Sequence, residues 1–76
     1  MKELLDYIAR NLVDSPDDVS ITEVEREGVL TLSLNVASAD MGKVIGRQGR
    51  IVREIRTLLK SVGQRNGQKV MVEIVD

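Results

Sequence analysis

The chain has 76 residues, which is enough for one small domain (1–76) and leaves no room for a second. It contains no cysteine and no histidine, which excludes disulfides, thiol nucleophiles, imidazole bases and almost every zinc site. The formal net charge is only −1, but positions 1–39 hold three basic and eight acidic residues, whereas positions 40–76 hold eight basic and four acidic ones. The second half, at +4, is therefore suited to attract a polyanion.

The composition also limits the location and the chemistry that we expect. No apolar run approaches the roughly 18 residues that a membrane span requires, and no basic-then-apolar leader is present. We therefore expect a cytoplasmic protein without a membrane partner. Carboxylates cluster in the first half and form no pair suited to acid–base catalysis, so we expect no enzyme, no cofactor and no metal site.

Positions 2–13 predict an amphipathic helix, because their aliphatic residues recur at intervals of three and four. The resulting stripe consists of Leu4, Leu5, Ile8 and Leu12. The helix should end before Pro16, since the residue that precedes a proline is disfavoured in the α conformation.

Two strands should follow this helix and form a hairpin. Positions 19–25 predict the first strand, in which Val24 interrupts the alternation of apolar and polar residues and indicates a bulge or a change of register. Glu27-Gly28 predicts the turn, and positions 29–36 predict a second strand that alternates without interruption. One face of the sheet should therefore be buried and the other largely wet.

Two adjacent helices follow in the basic half. The first covers positions 39–45, with Ser38 as its N-cap and Asp40 in its first turn, where the helix dipole favours an acidic residue. The second covers positions 49–63, and Gly63 is expected to end it as a C′ glycine. Opposite its aliphatic stripe lies a basic side made of Arg53, Arg56 and Lys60.

Asn66-Gly67 predicts a turn into a last strand over positions 70–75. The element order is thus α-β-β-α-α-β, which defines an α+β fold. A crossover of two helices between the second and third strands suits parallel neighbours. We therefore expect a three-stranded mixed sheet with the helices packed on one face.

The most informative stretch lies between the two adjacent helices, where Gly46 and Gly49 enclose Arg47 and Gln48. The two glycines leave a loop with little side-chain bulk, against which a chain of regular negative charge can lie. Between them stand a cation and an amide, both suited to phosphate oxygens, and Arg50 adds a guanidinium in the next turn. The N-terminus of the second helix favours an anion as well. A GxxG alone usually just permits a turn, so the prediction depends on this context.

The chain resembles the KH domain in its type II (prokaryotic) arrangement, on its element order and on positions 40–51, which read DMGKVIGRQGRI. The resemblance covers essentially the whole chain. A chain with one KH domain further resembles the small bacterial RNA-binding proteins of the KhpA (YlqC) type. The resemblance implies that the GxxG loop contacts the backbone of single-stranded RNA, with the bases in an adjacent apolar groove. The candidates for the floor of that groove are Val44, Ile45 and Ile51.

Some candidate residues have a second interpretation. Ile45 is equally a candidate for the core, and Ile51 begins the aliphatic stripe and is more typical of the core than of a binding surface. For Lys43, contact with the phosphates and no contact both remain open. The basic side of the second helix is also compatible with an ordinary solvated face.

The resulting hypothesis is a non-catalytic RNA chaperone or post-transcriptional regulator that binds single-stranded RNA. Tyr7 is the only aromatic residue, so bases would be held without aromatic stacking and sequence discrimination should be modest. The alternatives are a protein-interaction (dimerisation) module with secondary nucleic-acid binding, and a protein that binds single-stranded DNA. The resemblance implies a homodimer and a larger KhpB/Jag-type RNA-binding partner. Leu58, at the edge of the aliphatic stripe, is the candidate dimer seam.

Overall fold

The computed structural model describes residues 1–75, whose α-helices and strands follow the predicted α-β-β-α-α-β order. In chain order they are α1 (Lys2–Leu12), β1 (Ser20–Arg26), β2 (Val29–Asn35), α2 (Met41–Ile45), α3 (Arg50–Arg65) and β3 (Lys69–Val75). Short 3₁₀ turns precede β1, α2 and α3, at Pro16–Asp18, Ser38–Asp40 and Arg47–Gly49. The predicted α+β class is confirmed, and the hydrophobic periodicity located each element to within two residues of its observed ends.

The sheet has the order β1-β2-β3, with β2 in the centre. β1 pairs with β2 antiparallel and β3 pairs with it parallel, so the predicted mixed sheet is confirmed. The predicted irregularity at Val24 is wrong, because the β1–β2 register is continuous along its length. Val24 lies opposite Thr31, which in turn lies opposite Met71, and both Val24 and Met71 are exposed. An apolar residue on the wet face therefore disturbed the sequence pattern without disturbing the hydrogen-bond ladder.

The hydrophobic core lies between the other face of the sheet and the helices. Its buried members are Leu5 and Ala9 in α1, Val19 before β1, Leu30, Leu32 and Leu34 in β2, Val44 in α2, Ile55 and Leu59 in α3, and Val70 and Val72 in β3. Alternate residues of β2 and β3 face this core, as the period of two requires. All three helices are therefore held to the sheet by one continuous apolar cluster.

The predicted N-cap of the helix before the GxxG is wrong. Ser38 begins a 3₁₀ turn whose N-cap is Ala37, and its side chain makes no capping hydrogen bond. α2 begins only at Met41, which leaves Asp40 at the N-cap position. The chain enters α2 through this 3₁₀ turn. Ser38, the short polar residue before the predicted helix, therefore lies in the 3₁₀ turn and does not begin α2.

Gly63 does not end α3 as predicted. The helix continues to Arg65, and Asn66 is its C-cap residue. A Cβ at Gly63 would lie 2.6 Å from Cγ2 of Val70 and 2.7 Å from the carbonyl oxygen of Gln68. Gly63 therefore allows β3 to lie close against α3, a packing role within the helix that its sequence position near the helix end concealed.

Candidate nucleic-acid interface

The loop between α2 and α3 is a tight turn that is closed by its own backbone. The N–H of Gly46 donates to the carbonyl of Gly42 with an N···O distance of 2.9 Å, which ends α2. The N–H of Gly49 then donates to the carbonyl of Gly46 at 3.1 Å. Gln48 (φ 57°) and Gly49 (φ 73°) both adopt left-handed conformations. Arg47 and Gln48 therefore occupy the two central positions of the turn, between two helix ends.

The two glycines of the loop have different physical reasons to be glycine. Gly46 has a φ of 78°, and a Cβ there would lie 2.6 Å from Cγ1 of Ile51 and 2.9 Å from the Ile51 backbone nitrogen. Gly49 has a φ of 73°, but its Cβ would meet only Cγ1 of Val52, at an ordinary contact distance of 3.9 Å. Gly46 is thus required by close packing of the loop on α3 as well as by conformation, whereas Gly49 is required by conformation alone.

The N-terminus of α3 is directed at this loop. α3 has 16 residues, begins directly after Gly49, and no side chain caps its first turn. The first-turn N–H groups of a helix have no intrahelical partner, and the helix dipole places partial positive charge there. The loop therefore brings a helix terminus suited to an anion next to Arg47 and Gln48.

The side chains of Arg47, Gln48 and Arg50 are exposed around the turn. Nη2 of Arg53 donates a hydrogen bond of 3.0 Å to the carbonyl of Gln48, the residue held at positive φ. The sequence placed Arg53 only on a basic helix side. Arg53 stands one helical turn after Arg50, which could have indicated that its side chain lies near the loop. Nothing in the sequence indicated that it donates a hydrogen bond to the loop backbone.

The rest of the basic side of α3 is not simply solvated. Nε of Arg56 donates to the carbonyl of Val72 at 3.0 Å, which joins α3 to the edge strand β3. Lys60 is exposed further along the same side of the helix. Arg56 therefore has a structural partner on the sheet edge.

Lys43 is held by carboxylates. Its Nζ lies 3.0 Å from Oδ2 of Asp14 and 3.6 Å from Oδ1 of Asp40. The hydrogen bond to Asp14 and the charge of that residue, with a smaller contribution from Asp40, raise the pKa of Lys43, although desolvation opposes this. The sequence left contact with phosphates open for Lys43, and the structure gives its ammonium two internal partners.

Asp40 is the buried charged residue among residues 1–75, with 2% of its surface exposed. Its carboxylate accepts hydrogen bonds from the backbone N–H of Asp14 (3.2 Å) and of Ser15 (3.0 Å). Burial opposes its ionisation, but the two amides and the charge of Lys43 outweigh burial and lower the pKa of Asp40. The sequence indicated only a favourable dipole position for Asp40, so this role was missed.

The three aliphatic candidates for a groove floor differ in exposure. Val44 is fully buried and offers no surface to a ligand. Ile45 and Ile51 are half-buried and pack against the core cluster. Ile45 and Ile51 therefore retain some surface beside the loop, whereas the side chain of Val44 points into the protein.

Leu58 lies on a groove between α1 and α3. The groove has a volume of roughly 300 Å³ and is lined by Ile8, Leu12, Ile51, Glu54, Ile55 and Leu58. Leu58 is 46% exposed. The lining is apolar except for Glu54, and it reaches Ile51, the residue against which Gly46 packs.

Residues 1–75 contain no group of three or more histidine, cysteine, aspartate or glutamate residues that could hold a metal ion. Within the same range, no helix combines the length and the apolarity that crossing a membrane requires.

The element order, the mixed three-stranded sheet and the GxxG turn between two adjacent helices define a KH domain. A family model described as the KH domain of KhpA/KhpB matches residues 2–74. The chain therefore belongs to the KhpA/KhpB KH-domain family, which is not a family of enzymes.

Several relatives are similar to the chain over all or nearly all of their length. The RNA-binding protein KhpA of Clostridium acetobutylicum is 51% identical over 99% of this chain and 100% of its own. The proteins of the same name from Listeria monocytogenes and Chlamydia trachomatis are 49% and 47% identical, over 100% of this chain and 100% and 97% of theirs. No solved structure matches the chain.

Proposed function

We propose that this protein binds single-stranded RNA through the GxxG loop and acts, without chemistry, as an RNA chaperone or post-transcriptional regulator in the cytoplasm. The observation that carries the proposal is the turn at Gly46–Gly49, which places exposed Arg47, Gln48 and Arg50 at the N-terminus of α3, where no side chain makes a capping hydrogen bond. Relatives with 51% and 49% sequence identity are named as RNA-binding proteins, which supports RNA as the ligand.

Each part of the loop has its own task in this proposal. Arg47 and Arg50 provide charge for phosphate oxygens, the amide of Gln48 donates hydrogen bonds, and the first turn of α3 adds partial positive charge. Ile45 and Ile51 provide aliphatic surface for bases beside the loop. Because no aromatic platform stands beside the loop in residues 1–75, where Tyr7 on α1 is the sole aromatic side chain, sequence discrimination should be modest.

The test is a double substitution, Arg47→Asp with Gln48→Asp. It removes one positive charge and adds two negative ones at exposed positions, so the fold should survive while RNA binding is lost. The matched control is Ser20→Asp with Arg26→Asp, which makes the same change of charge at exposed positions of β1. Binding is measured by fluorescence anisotropy with a labelled single-stranded RNA, and folding by circular dichroism.

The control should bind RNA nearly as the parent does, because only the loop charges contact the ligand. A folded loop variant with parental affinity would falsify the proposed site. For the parent, about three phosphate contacts predict that log K falls with log salt at a slope of roughly −2 on a single strand.

RNA and single-stranded DNA are both compatible with contacts to a phosphate backbone. The 2′-hydroxyl distinguishes the two polymers. We favour RNA because of the relatives' names. Competition between RNA and DNA oligomers of the same sequence decides the point: equal displacement by both would favour a general binder of single strands.

We further propose that the protein forms a homodimer through the groove between α1 and α3. Leu58 is 46% exposed there, beside the half-buried Ile8, Leu12 and Ile51. Such an apolar groove is a candidate for burial against a second copy. In that dimer, the seam would reach Ile51, which is also proposed to contact bases, so base contact and dimerisation would share this residue.

The substitution Leu58→Lys tests the seam by light scattering. It should convert a dimer to a monomer with the fold retained. The matched control is Tyr7→Lys on α1, which changes another exposed apolar residue, 69% exposed, and should leave the mass unchanged. If Leu58→Lys keeps the parental mass, this seam is excluded.

A larger KhpB/Jag-type RNA-binding protein is the other partner that we propose for the same groove. One apolar surface would then serve either a second copy or the larger partner, and the two would compete. Titrating such a partner into the homodimer should release monomers if the groove is shared, whereas a stable assembly that retains the homodimer would place the partner elsewhere.

A further inference from the structure

α2 is too short to be stable by itself. It has five residues, and isolated helices of fewer than about 12 residues are marginal in water. Its position therefore depends on tertiary contacts at its two ends and on the burial of Val44. At its C-terminal end, Gly46 packs on Ile51 of α3. Whether α2 holds the GxxG turn in one position therefore depends on the contacts at the N-terminal end of α2.

The N-terminal end of α2 is tied to the loop that follows α1. After α1 ends, the backbone N–H groups of Asp14 and Ser15 need acceptors, and the two oxygens of Asp40 accept one each, at 3.2 Å and 3.0 Å. Asp40 stands at the N-cap position of α2, yet its side chain makes no capping hydrogen bond to the backbone of α2. The carboxylate of Asp40 therefore joins the start of α2 to the loop after α1, two segments that lie more than twenty residues apart in sequence.

Lys43 completes this junction from within α2. Its ammonium lies 3.0 Å from the Asp14 carboxylate and 3.6 Å from that of Asp40, so one cation stands between two anions. A phosphate that approached Lys43 would have to displace Asp14 and would meet the negative charge of both carboxylates. The charge of Lys43 is therefore compensated within the protein, in contrast to the exposed guanidinium of Arg47.

We propose that Asp14, Lys43 and Asp40 form a positioning cluster for the RNA-binding loop, in which Asp40 and Lys43 fix α2 and Lys43 does not contact phosphate. The inference rests on the proposed RNA-binding function and adds residues that act through the loop rather than on the ligand. Without the cluster, only a fraction of the protein molecules holds the loop in the conformation that binds RNA. The apparent Kd for RNA then equals the intrinsic Kd divided by that fraction.

The experiment compares Lys43→Met with Arg47→Met, which each remove one cation from neighbouring turns of the chain. RNA affinity is measured between low and high salt, and amide hydrogen exchange is measured on the protein without RNA. Arg47→Met should make the salt slope less negative by about 0.7, the value of one phosphate contact on a single strand. Lys43→Met should leave the slope unchanged and raise Kd about threefold at every salt concentration, because fewer molecules are competent.

Hydrogen exchange distinguishes positioning from contact. Lys43→Met should accelerate exchange at the amides of Gly46 and Gly49, whereas amides of the central strand β2 should keep the parental rate. Arg47→Met should leave the exchange at Gly46 and Gly49 near the parental rate. The proposal is wrong if Lys43→Met shifts the salt slope as Arg47→Met does, or if exchange in the loop stays parental.

Asp40 provides the second test. Asp40→Ala removes both acceptors and should accelerate loop exchange, and Asp40→Asn, which keeps one acceptor oxygen, should partly restore it. Tighter RNA binding with a steeper salt slope in either variant would show instead that Asp40 withholds Lys43 from phosphate, and would overturn the proposal. If Asp40→Ala fails to fold, the Lys43→Met comparison at an exposed side chain still decides.

The two proposals fail in different ways. If Arg47→Asp with Gln48→Asp binds RNA like the parent, the proposed function fails, but the exchange measurements still test the positioning cluster because they contain no RNA. If the loop variant loses binding and Lys43→Met leaves exchange at Gly46 and Gly49 unchanged, the function stands and the cluster has no positioning role.

Discussion

Two turns of this protein each contain a pair of consecutive left-handed residues, with different consequences. In the β1–β2 hairpin, Glu27 and Gly28 have φ angles of 52° and 80°. In the loop between α2 and α3, Gln48 and Gly49 have φ angles of 57° and 73°. In each case a non-glycine residue in the left-handed region is followed by a left-handed glycine, so that only the first residue of the pair has the steric cost of this conformation.

The surroundings of the two turns differ. The hairpin turn joins Arg26 and Val29, which are paired across β1 and β2, and a Cβ added to Gly28 would meet no atom within 4 Å. A two-residue turn of this kind matches the twist of the strands and needs no further support. Near the other turn, Gly46 packs on Ile51 and a guanidinium bonds to the Gln48 carbonyl. The local conformation is thus common to a plain turn and to the proposed site, and the packing around it makes the difference.

The strongest test of this comparison is Gly46→Ala against Gly28→Ala. Gly46→Ala adds the cost of a positive φ to a clash with Ile51 that includes a backbone atom, so we expect a loss of about 3 kcal/mol in the free energy of unfolding. Gly28→Ala incurs only the conformational cost, about 1 kcal/mol, because its surroundings are open. Urea denaturation followed by circular dichroism measures both. Equal losses would mean that α3 moves away from the loop at little cost, against the tight contact seen here.

A narrower comparison uses Gly49→Ala and Gly28→Ala. Both glycines have positive φ and neither Cβ would clash, so each substitution should destabilise the protein by about 1 kcal/mol. RNA affinity should fall only for Gly49→Ala, because this residue borders the proposed contact surface at the start of α3. Anisotropy titrations at a temperature where both variants are folded provide the measurement. A matching loss of affinity in Gly28→Ala would mean that stability, and not the loop, governs binding.

The bond from Arg53 to the loop gives a smaller effect. Arg53→Met removes the guanidinium that bonds to the carbonyl of Gln48, and we expect Kd for RNA to rise about threefold, which corresponds to one exposed hydrogen bond. Arg53→Lys keeps the charge with a less specific donor and should recover part of the loss. Full recovery by lysine would assign the effect to long-range charge alone.

The sequence predicted the elements of the fold well because the hydrophobic pattern and the sheet agree. Leu30, Leu32 and Leu34 alternate and are buried, and the crossover of two helices led correctly to parallel pairing of β2 and β3. The position of the GxxG between two helices could also be predicted, since its glycines interrupt two helical patterns. Local periodicity is sufficient for such features, because each is decided by residues near in sequence.

The remaining features depend on residues that are distant in sequence. Gly63 has the sequence pattern of a helix end, but its small size is required by Val70 across the turn. Asp40 has the pattern of an N-terminal helix residue, but its carboxylate binds the backbone of Asp14 and Ser15. No periodicity or capping rule reveals such partners, because the same residue types satisfy a local role equally well.

The smallest expected effect is a dependence of stability on pH that originates at the α2 end of the molecule. The pKa of Asp40 is lowered in the folded state, so its contribution to stability is present above its ordinary value of 3.8 and is lost as the pH falls through the lowered pKa. The difference in unfolding free energy between the parent and Asp40→Asn should therefore be constant at neutral pH and shrink in acid. The pKa of Lys43 is raised, so the difference between the parent and Lys43→Met should persist at neutral pH and shrink only above the ordinary value of 10.5. Urea midpoints across pH measure both differences, with Asp17→Asn as a control for the loss of one exposed carboxylate. If the Asp40→Asn difference grew in acid, the carboxylate would be protonated in the folded protein, and the junction between α2 and the loop after α1 would not depend on its charge.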